Sequence, residues 1–433
     1  MAKAVDTSFT RTYGWTVTKS ADDTTVEVAP DGSVDVHYTV TATPDGYTDS
    51  RWTMTGTVTV TNPNEFTALT ATVSDLPSIG GGAVCTVAYP AGGDSVTVPA
   101  GQSVPVNYTC TFDSQPTYTG GDNSATVTWT LPTTVGGTDT VTDTVPVVFS
   151  APTLVNDVVK VYDDWTVPGE SHYIGDATWA DGPAKLTYAL PLPAGTAGTC
   201  QDFTNTAVVD VAGSTDPTAT ETVTVCTGAD LTVEKTATAT FTRDYNWTIT
   251  KTVEEADVKT SSESVTSQYT VVVDAAPAVD SAWVVTGTIT VHNPNGWDIE
   301  AEVTDAVGLG GSCLVDGTAA TTVTVPANDQ ATVSYECTFA SKPTSYTGRN
   351  TAVVTWDAAK AHTASGTAEG YADFAFALTK EIDRSVTVAD AQAGATLPVT
   401  LDAVTSTLPA SFEYGVERVT PACLLYTSDA ADE

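Results

Sequence analysis

Along most of this chain apolar and polar residues alternate one by one. Phe9 to Lys19 reads FTRTYGWTVTK, and Phe241 to Lys251 reads FTRDYNWTITK. In each copy an aromatic or β-branched residue takes every second position: Tyr13, Trp15 and Val17, then Tyr245, Trp247 and Ile249. A period of two puts those residues on one face of a β-strand. The same alternation predicts strands over 13–19, 24–28, 33–42, 51–61, 67–75, 84–88, 94–98, 103–112, 124–129 and 138–148. Further along it predicts 154–162, 185–190, 206–211 and 221–226. Turn-forming Pro, Gly, Asn and Asp separate these runs, as in PDG at 30–32, NPN at 62–64 and TGGDN at 119–123. No segment keeps a helical period for three turns. The polar stretch 163–183 reads as loop, with Trp165 and Trp179 packing at its ends. Many short strands joined by such turns predict an all-β fold of β-sandwiches.

The alternating segments are also duplicated. RWTMTGTVTVTNPN at 51–64 answers AWVVTGTITVHNPN at 282–295, and VPAGQSVPVNYTCTF at 98–112 answers VPANDQATVSYECTF at 325–339. YTGGDNSATVTW at 118–129 answers YTGRNTAVVTW at 346–356. The expected organisation is a long unit over 1–147, a short one over 148–229, a second long unit over 230–371 repeating the first, and a short one over 372–422. End-to-end repetition without a flexible linker predicts a monomeric, elongated array. Residues 423–433, CLLYTSDAADE, break the alternation and resemble a translated sequencing adapter, so the natural chain is expected to continue past Ala422. Met1 is expected to be an internal start. MAKAVDTSFTR has no apolar signal-peptide stretch, and strand-like LTVEKTATA precedes the second FTR.

Charge narrows the partners. The chain has 53 Asp and Glu against 16 Lys and Arg, a formal net charge of -37. Such a surface repels phosphate, which excludes nucleic acid and anionic membrane surfaces. It fits a highly soluble exterior or a saline habitat. No apolar run is long enough to span a membrane. The acidity raises calcium as a ligand, but no D-x-[DN]-x-[DN]-G loop is present, so no metal or other cofactor is assigned.

Six of the seven cysteines fall into pairs. Cys85 and Cys110, Cys200 and Cys226, and Cys313 and Cys337 lie one pair per unit, leaving Cys423 in the adapter-like tail. Zinc or redox chemistry would need CxxC-type spacing, which is absent. Structural disulfides are the economical reading, and they imply an oxidising exterior.

Hydrolase and nucleotide-binding signatures (G-x-S-x-G, HExxH, the P-loop) are missing, and His37, His172, His292 and His362 have no partner that the sequence justifies. One constellation carries chemistry. Strand parity aims Lys19, Asp75 and Asn123 at the core of the first long unit, and Lys251, Asp305 and Asn350 at the core of the second. A desolvated lysine becomes nucleophilic. With a neighbouring carboxyl it could attack the asparagine amide, release ammonia and leave an isopeptide crosslink. Against this stands a plainer reading, in which all six are strand-end polar residues reaching solvent or capping turns. Trp297, just after the second NPN turn, is expected to be exposed and is the candidate ligand contact.

These repeats, the NPN turns, the VSD and VTD segments at 73–75 and 303–305, the NTAVV runs at 205–209 and 350–354 and the paired cysteines together resemble the conserved-repeat, immunoglobulin-like β-sandwich domains of large bacterial cell-surface proteins, especially of high-GC Gram-positive organisms. The resemblance implies a non-enzymatic extracellular stalk or adhesin-like segment. Its partners would be cell-wall or host-surface glycans or proteins. Two other classes stay open: a glycan- or protein-binding module acting through sandwich loops around Trp297, and a soluble extracellular enzyme, which would require a clustered acid–base pair in a pocket.

Overall fold

The computed structural model describes residues 1–117, 120–131, 136–149 and 151–420. The adapter-like residues 423–433, with Cys423, lie outside the described residues. The protein is nearly all β. Among the described residues the only helical turns are Trp179–Asp181 and Ala358–Ala361, the latter capped by Asp357, which accepts from the backbone N–H groups of Ala359 and Lys360. The chain divides into two compact units. One is built from residues 1–26, 33–193 and 200–225, and the other takes in residues 27–32, 194–199 and the chain from 226 on.

In the first unit two very long strands do most of the organising. Ala2–Ala21 pairs antiparallel with Ser33–Thr61, from Ala2 opposite Thr59 to Ala21 opposite Tyr38. Bulges between Ser8 and Thr10 and between Tyr13 and Trp15 re-aim the pair part-way along. At the second bulge only glycine fits, since a Cβ on Gly14 would lie 2.5 Å from the carbonyl oxygen of Asp45. One end of this ribbon joins Ser103–Phe112 and Ala83–Ala88, and packs on a second sheet of Val96–Val98, Leu69–Pro77, Gly120–Thr130 and Thr138–Val148. Met54, Val58, Val106, Tyr108, Val73 and Val127 form the shared core. The other end pairs with Ala184–Pro193 and packs on His172–Thr178, Val158–Asp163, Cys200–Asp210 and Thr218–Thr227. Here the core is Trp15, Val40, Ala42, Val159, Val161, Ala207 and Val209. Residues 15–42 thus contribute to the second core although in sequence they lie between strand segments of the first long sandwich. The stretch 163–183, expected as loop, contains the strand His172–Thr178. Trp165 stacks on His172 at 3.7 Å, and Trp179 packs against Tyr13 at 4.7 Å.

The second unit repeats this plan. Its long sandwich is ordered Ser312–Val315, Gln330–Thr338, Val279–His292, Thr238–Asp244, Thr367–Ile382, Thr347–Trp356, Ile299–Val307 and Ala320–Val325. Thr232–Lys235 adds to Val279–His292. Thr367–Ile382 runs antiparallel to Thr347–Trp356 and then parallel to Thr238–Asp244, so one strand joins both layers. The short sandwich sets Trp247–Val253, Ser264–Ala275 and Ala410–Val419 against the two-stranded sheet Ser385–Val388 and Val399–Asp402.

The NPN turns have a structural purpose. The Asn62 side chain donates to the carbonyls of Thr67, Val98 and Pro99, at 2.9, 3.1 and 3.3 Å. Asn293 does the same for Trp297, Val325 and Pro326, at 2.7, 3.1 and 3.1 Å. Each buried amide closes a sandwich end by satisfying carbonyls that have left the ladder. Asn293→Ala leaves those acceptors unpaired and is expected to cost about 1–3 kcal/mol. Chemical denaturation of the variant checks this; unchanged stability would contradict the role.

Candidate functional site

The lysine, aspartate and asparagine positions do converge, but with different lysines. Lys3 contacts Asp75, and Asn123 donates to the other oxygen of Asp75 at 3.0 Å. In the second unit Lys235 contacts Asp305 at 2.7 Å, and Asn350 approaches the sulfur of Cys337 at 3.1 Å beside it. The side chains of Lys3, Asp75, Lys235 and Asp305 are wholly buried. The expected pairing of Lys19 with Asp75 and Asn123, and of Lys251 with Asp305 and Asn350, is therefore corrected. Parity was right but the level along the strand was not. Lys3 and Lys19 lie on one continuous strand, sixteen residues apart, which is about 50 Å of extended chain. Lys19 belongs to the short sandwich, where it contacts Asp163 and the hydroxyl of Tyr188 at 2.6 Å. Asn205, fully buried, donates to the same hydroxyl at 3.0 Å. Lys251 likewise contacts Asp390, and the Tyr414 hydroxyl donates to that carboxylate at 2.6 Å.

Two sequence signals point to the missed residues. Lys3 and Lys235 each stand six positions before the Phe of FTR, and Asn205 opens the same NTAVV run as Asn350.

Local sequence builds each lysine a seat. Lys3 lies over the ring of Tyr108 at 3.8 Å and Lys235 over Tyr335 at 3.3 Å. The tyrosine hydroxyls donate to the carbonyls of Ala4 at 2.8 Å and Thr236 at 2.6 Å, which anchors the rings across the first strand. The rings pass where a side chain would otherwise stand: a Cβ on Gly56 would lie 2.7 Å from the Tyr108 hydroxyl and 2.0 Å from the Ala4 carbonyl. In the short sandwiches a tyrosine pair takes over. Tyr38 stacks on Tyr188 at 5.5 Å beside Lys19, and Tyr269 on Tyr414 at 5.8 Å beside Lys251.

Burial pushes Lys3, Lys19 and Lys235 below the usual lysine range, because desolvation outweighs the attraction of the adjacent carboxylates. It pushes Tyr108 up to about 12 and raises Tyr188 and Tyr335 too, so the phenols stay neutral. The amide oxygens of Asn123, Asn205 and Asn350 are buried and accept no hydrogen bond. An unpaired buried acceptor costs about 1–3 kcal/mol. Three repeats of the same cost, each beside a lysine and a carboxyl, are the chemistry-bearing feature of the molecule.

Disulfides form the wall of two of these sites. Cys85–Cys110 and Cys313–Cys337 are directly cross-strand, each with Cα atoms 3.9 Å apart, and Cys200 and Cys226 are disulfide-bonded as well. The sulfur of Cys110 lies 3.4 Å from Asp75, and that of Cys337 lies 3.3 Å from Asp305. These are the only acid–cysteine clusters among the described residues, and oxidised sulfurs make them poor metal ligands. Closing loops of 24 and 25 residues stabilises each sandwich by about 3–4 kcal/mol.

The expectation for Trp297 is also corrected. Its ring packs on the second long core and donates to the Ala361 carbonyl at 3.2 Å. Its counterpart after the first NPN turn is Phe66, which is 91% exposed. The helical turn Ala358–Ala361 presents the carbonyl that holds Trp297 inward, which strand parity could not reveal.

No protein-family model and no curated protein matches this chain. Solved structures it resembles include the C-terminal domain of the Streptococcus agalactiae AgI/II polypeptide BspA, at 10% identity over 83% of this chain and 99% of that one, with a TM-score of 0.23. CfaE, the adhesive subunit of the CFA/I fimbria of enterotoxigenic Escherichia coli, aligns at 10% identity over 82% and 97%, with a TM-score of 0.25. The collagen adhesin CNA from S. aureus aligns at 8% identity over 83% and 94%, with a TM-score of 0.15. Scores this low transfer no residue roles. The sandwich architecture rests on the strands themselves.

Peptide mapping without reductant is expected to recover Cys85 joined to Cys110 and Cys313 joined to Cys337. Alkylation of any of these four in the native, unreduced protein would contradict the arrangement.

Proposed function

We propose that this chain is a non-enzymatic, load-bearing segment of an extracellular surface protein, of stalk or adhesin type, whose sandwiches lock themselves with Lys–Asn isopeptide bonds. The bonds would join Lys3 to Asn123, Lys19 to Asn205 and Lys235 to Asn350, with Asp75, Asp163 and Asp305 as the proton-handling groups. One observation carries the reading: three sandwiches each hold a buried lysine, carboxyl and amide set, two of them at matching places of the repeated long sandwiches, and each amide oxygen lacks a donor. The neutral lysine nitrogen attacks the asparagine Cγ. The aspartic acid gives its proton to the amide and recovers one from the attacking nitrogen. The Cγ–Nδ2 bond breaks, ammonia leaves, and the new Cγ–Nζ bond remains. Each group reacts once, so the chain turns over no substrate.

Such bonds suit a mechanical purpose. Ala2–Ala21 carries Lys3 near one end and Lys19 near the other, so a single strand would be tied covalently into two sandwiches. The paired disulfides, which persist in oxidising surroundings, support the extracellular placement.

A second reading, binding of a surface glycan or protein, is favoured by Phe66 at the first NPN turn. It stands beside an open cleft of about 770 Å³ lined by Val60, Leu69, Val127 and Trp129.

The reduced, denatured 433-residue chain is expected to be lighter than its sequence mass by three ammonia molecules. Asp75→Ala should restore one of them while leaving the other two bonds. A mass deficit of zero in the reduced wild-type chain would overturn the crosslinks, leaving the lysines as buried partners of their carboxylates.

A further inference from the structure

The buried sets do not all meet their amides in the same way. In the first long sandwich the carboxylate touches the amide directly, with Asn123 donating to Asp75 at 3.0 Å. The tyrosines of both long sandwiches spend their hydroxyl protons on backbone, at the carbonyls of Ala4 and Thr236. In the first short sandwich the parts change places. Asn205 donates at 3.0 Å to the hydroxyl of Tyr188, and the same hydroxyl accepts from Lys19 at 2.6 Å. Asp163 has both oxygens engaged away from the amide: one contacts Lys19, and the other accepts from the backbone N–H of Trp165 at 2.9 Å. One phenol oxygen thus bridges the nitrogen that would attack and the nitrogen that would leave.

Strand pairing holds that oxygen in place. Ala184–Pro193 runs antiparallel to Ser33–Thr61 with Tyr188 directly opposite Tyr38, and the fully buried Tyr38 ring stacks on it at 5.5 Å. From this seat the hydroxyl reaches Lys19 on Ala2–Ala21 and Asn205 on Cys200–Asp210. A hydroxyl that accepts two hydrogen bonds still has its own proton to give. Burial first, and the neighbouring Asp163 carboxylate next, hold that proton on the phenol. Besides Asp163, the titratable groups facing Tyr188 are Lys19 and Tyr38, and Asp164 and Glu221 act on Lys19 from further off. Tyr414 of the second short sandwich also turns its hydroxyl to the carboxylate beside a lysine, donating to Asp390 at 2.6 Å. The placement therefore belongs to the plan of the short sandwiches.

We propose that Tyr188 is the group that transfers the proton between the two nitrogens when Lys19 bonds to Asn205, the role that falls to Asp75 in the first long sandwich. The proposal rests on the isopeptide reading above and leaves Asp163 to govern the charge of the lysine. Asp163 first takes one proton from the Lys19 ammonium, and the neutral Nζ attacks Cγ of Asn205. As the Cγ–Nδ2 bond weakens, the Tyr188 hydroxyl gives its proton to Nδ2 and takes one from Nζ. The Cγ–Nδ2 bond breaks and ammonia leaves. It receives the proton that Asp163 held, so the products are the Cγ–Nζ amide, ammonium, the Asp163 carboxylate and an unchanged phenol.

The test makes the 433-residue chain and its Tyr188→Phe variant by cell-free translation under oxidising conditions. Samples taken over time are reduced, denatured and mapped by mass spectrometry for the Lys19–Asn205 and Lys235–Asn350 links. Phenylalanine keeps the ring and its stacking on Tyr38. The variant is expected to form the Lys19–Asn205 link about a hundredfold more slowly, or slower still, as for loss of a general acid–base group. Its Lys235–Asn350 link, in the same molecules, should form at the wild-type rate. A third chain carries at position 188 a difluorotyrosine, which keeps the hydroxyl and makes it more acidic. In it the pH dependence of the Lys19–Asn205 link should move to lower pH while that of Lys235–Asn350 stays, a shift that a merely structural contact would not produce. A wild-type rate in Tyr188→Phe, or an unmoved pH dependence with difluorotyrosine, would overturn the assignment and leave the crosslinks standing. If Tyr188→Phe does not fold, the difluorotyrosine chain decides alone. A wild-type chain that loses no ammonia at any site would remove both this inference and the reading beneath it.

Discussion

Everything in this molecule is arranged around an awkward object, a lysine ammonium buried in a β-sandwich core. Taking such a charge out of water costs several kcal/mol, and a carboxylate recovers that only with good geometry and further hydrogen bonds. The chain meets the cost the same way each time. A tyrosine ring lies against the lysine, an aspartate faces it, and an asparagine completes the set. Gly56 and Gly287 keep the first strand close enough for the tyrosine hydroxyl to reach it. The strands, bulges and close approaches of the long sandwiches read as consequences of seating that one group.

The pair also explains why an amide can be left incomplete. Native proteins seldom bury a carbonyl oxygen without a donor. Here the same omission occurs at Asn123, Asn205 and Asn350. An amide awaiting attack needs its oxygen open to a protonated carboxyl, so the omission is costly for a static core and useful for a reacting one. The disulfides then have a second role besides restricting the unfolded chain. Their sulfurs stand beside Asp75 and Asp305 and keep water away from them.

Much of the architecture was legible because a period of two is hard to disguise. FTRTYGWTVTK and FTRDYNWTITK announced both the strands and the duplication, and the cysteines paired as their spacing implied where the bridges are seen. What failed was the extent of the strands. The core-facing positions before Phe9 are Lys3, Val5 and Thr7, two of them polar, so apolar alternation started too late and Ala2–Ala21 appeared half its length. That error moved the lysine one sandwich along. His172–Thr178 was hidden likewise, by a Gly and an Asp within a short edge strand. The inward fold of Trp297 depends on contacts sixty residues away, which no local pattern encodes.

The central claim is a covalent bond, and the most direct measurement is a high-resolution crystal structure of the second unit's site in the 433-residue chain. The account predicts continuous density from Lys235 to Asn350, with an Nζ–Cγ separation of about 1.33 Å, the length of an amide bond, and no density for Nδ2. Two separate side chains at van der Waals distance, with the asparagine amide intact beside Asp305, would contradict it.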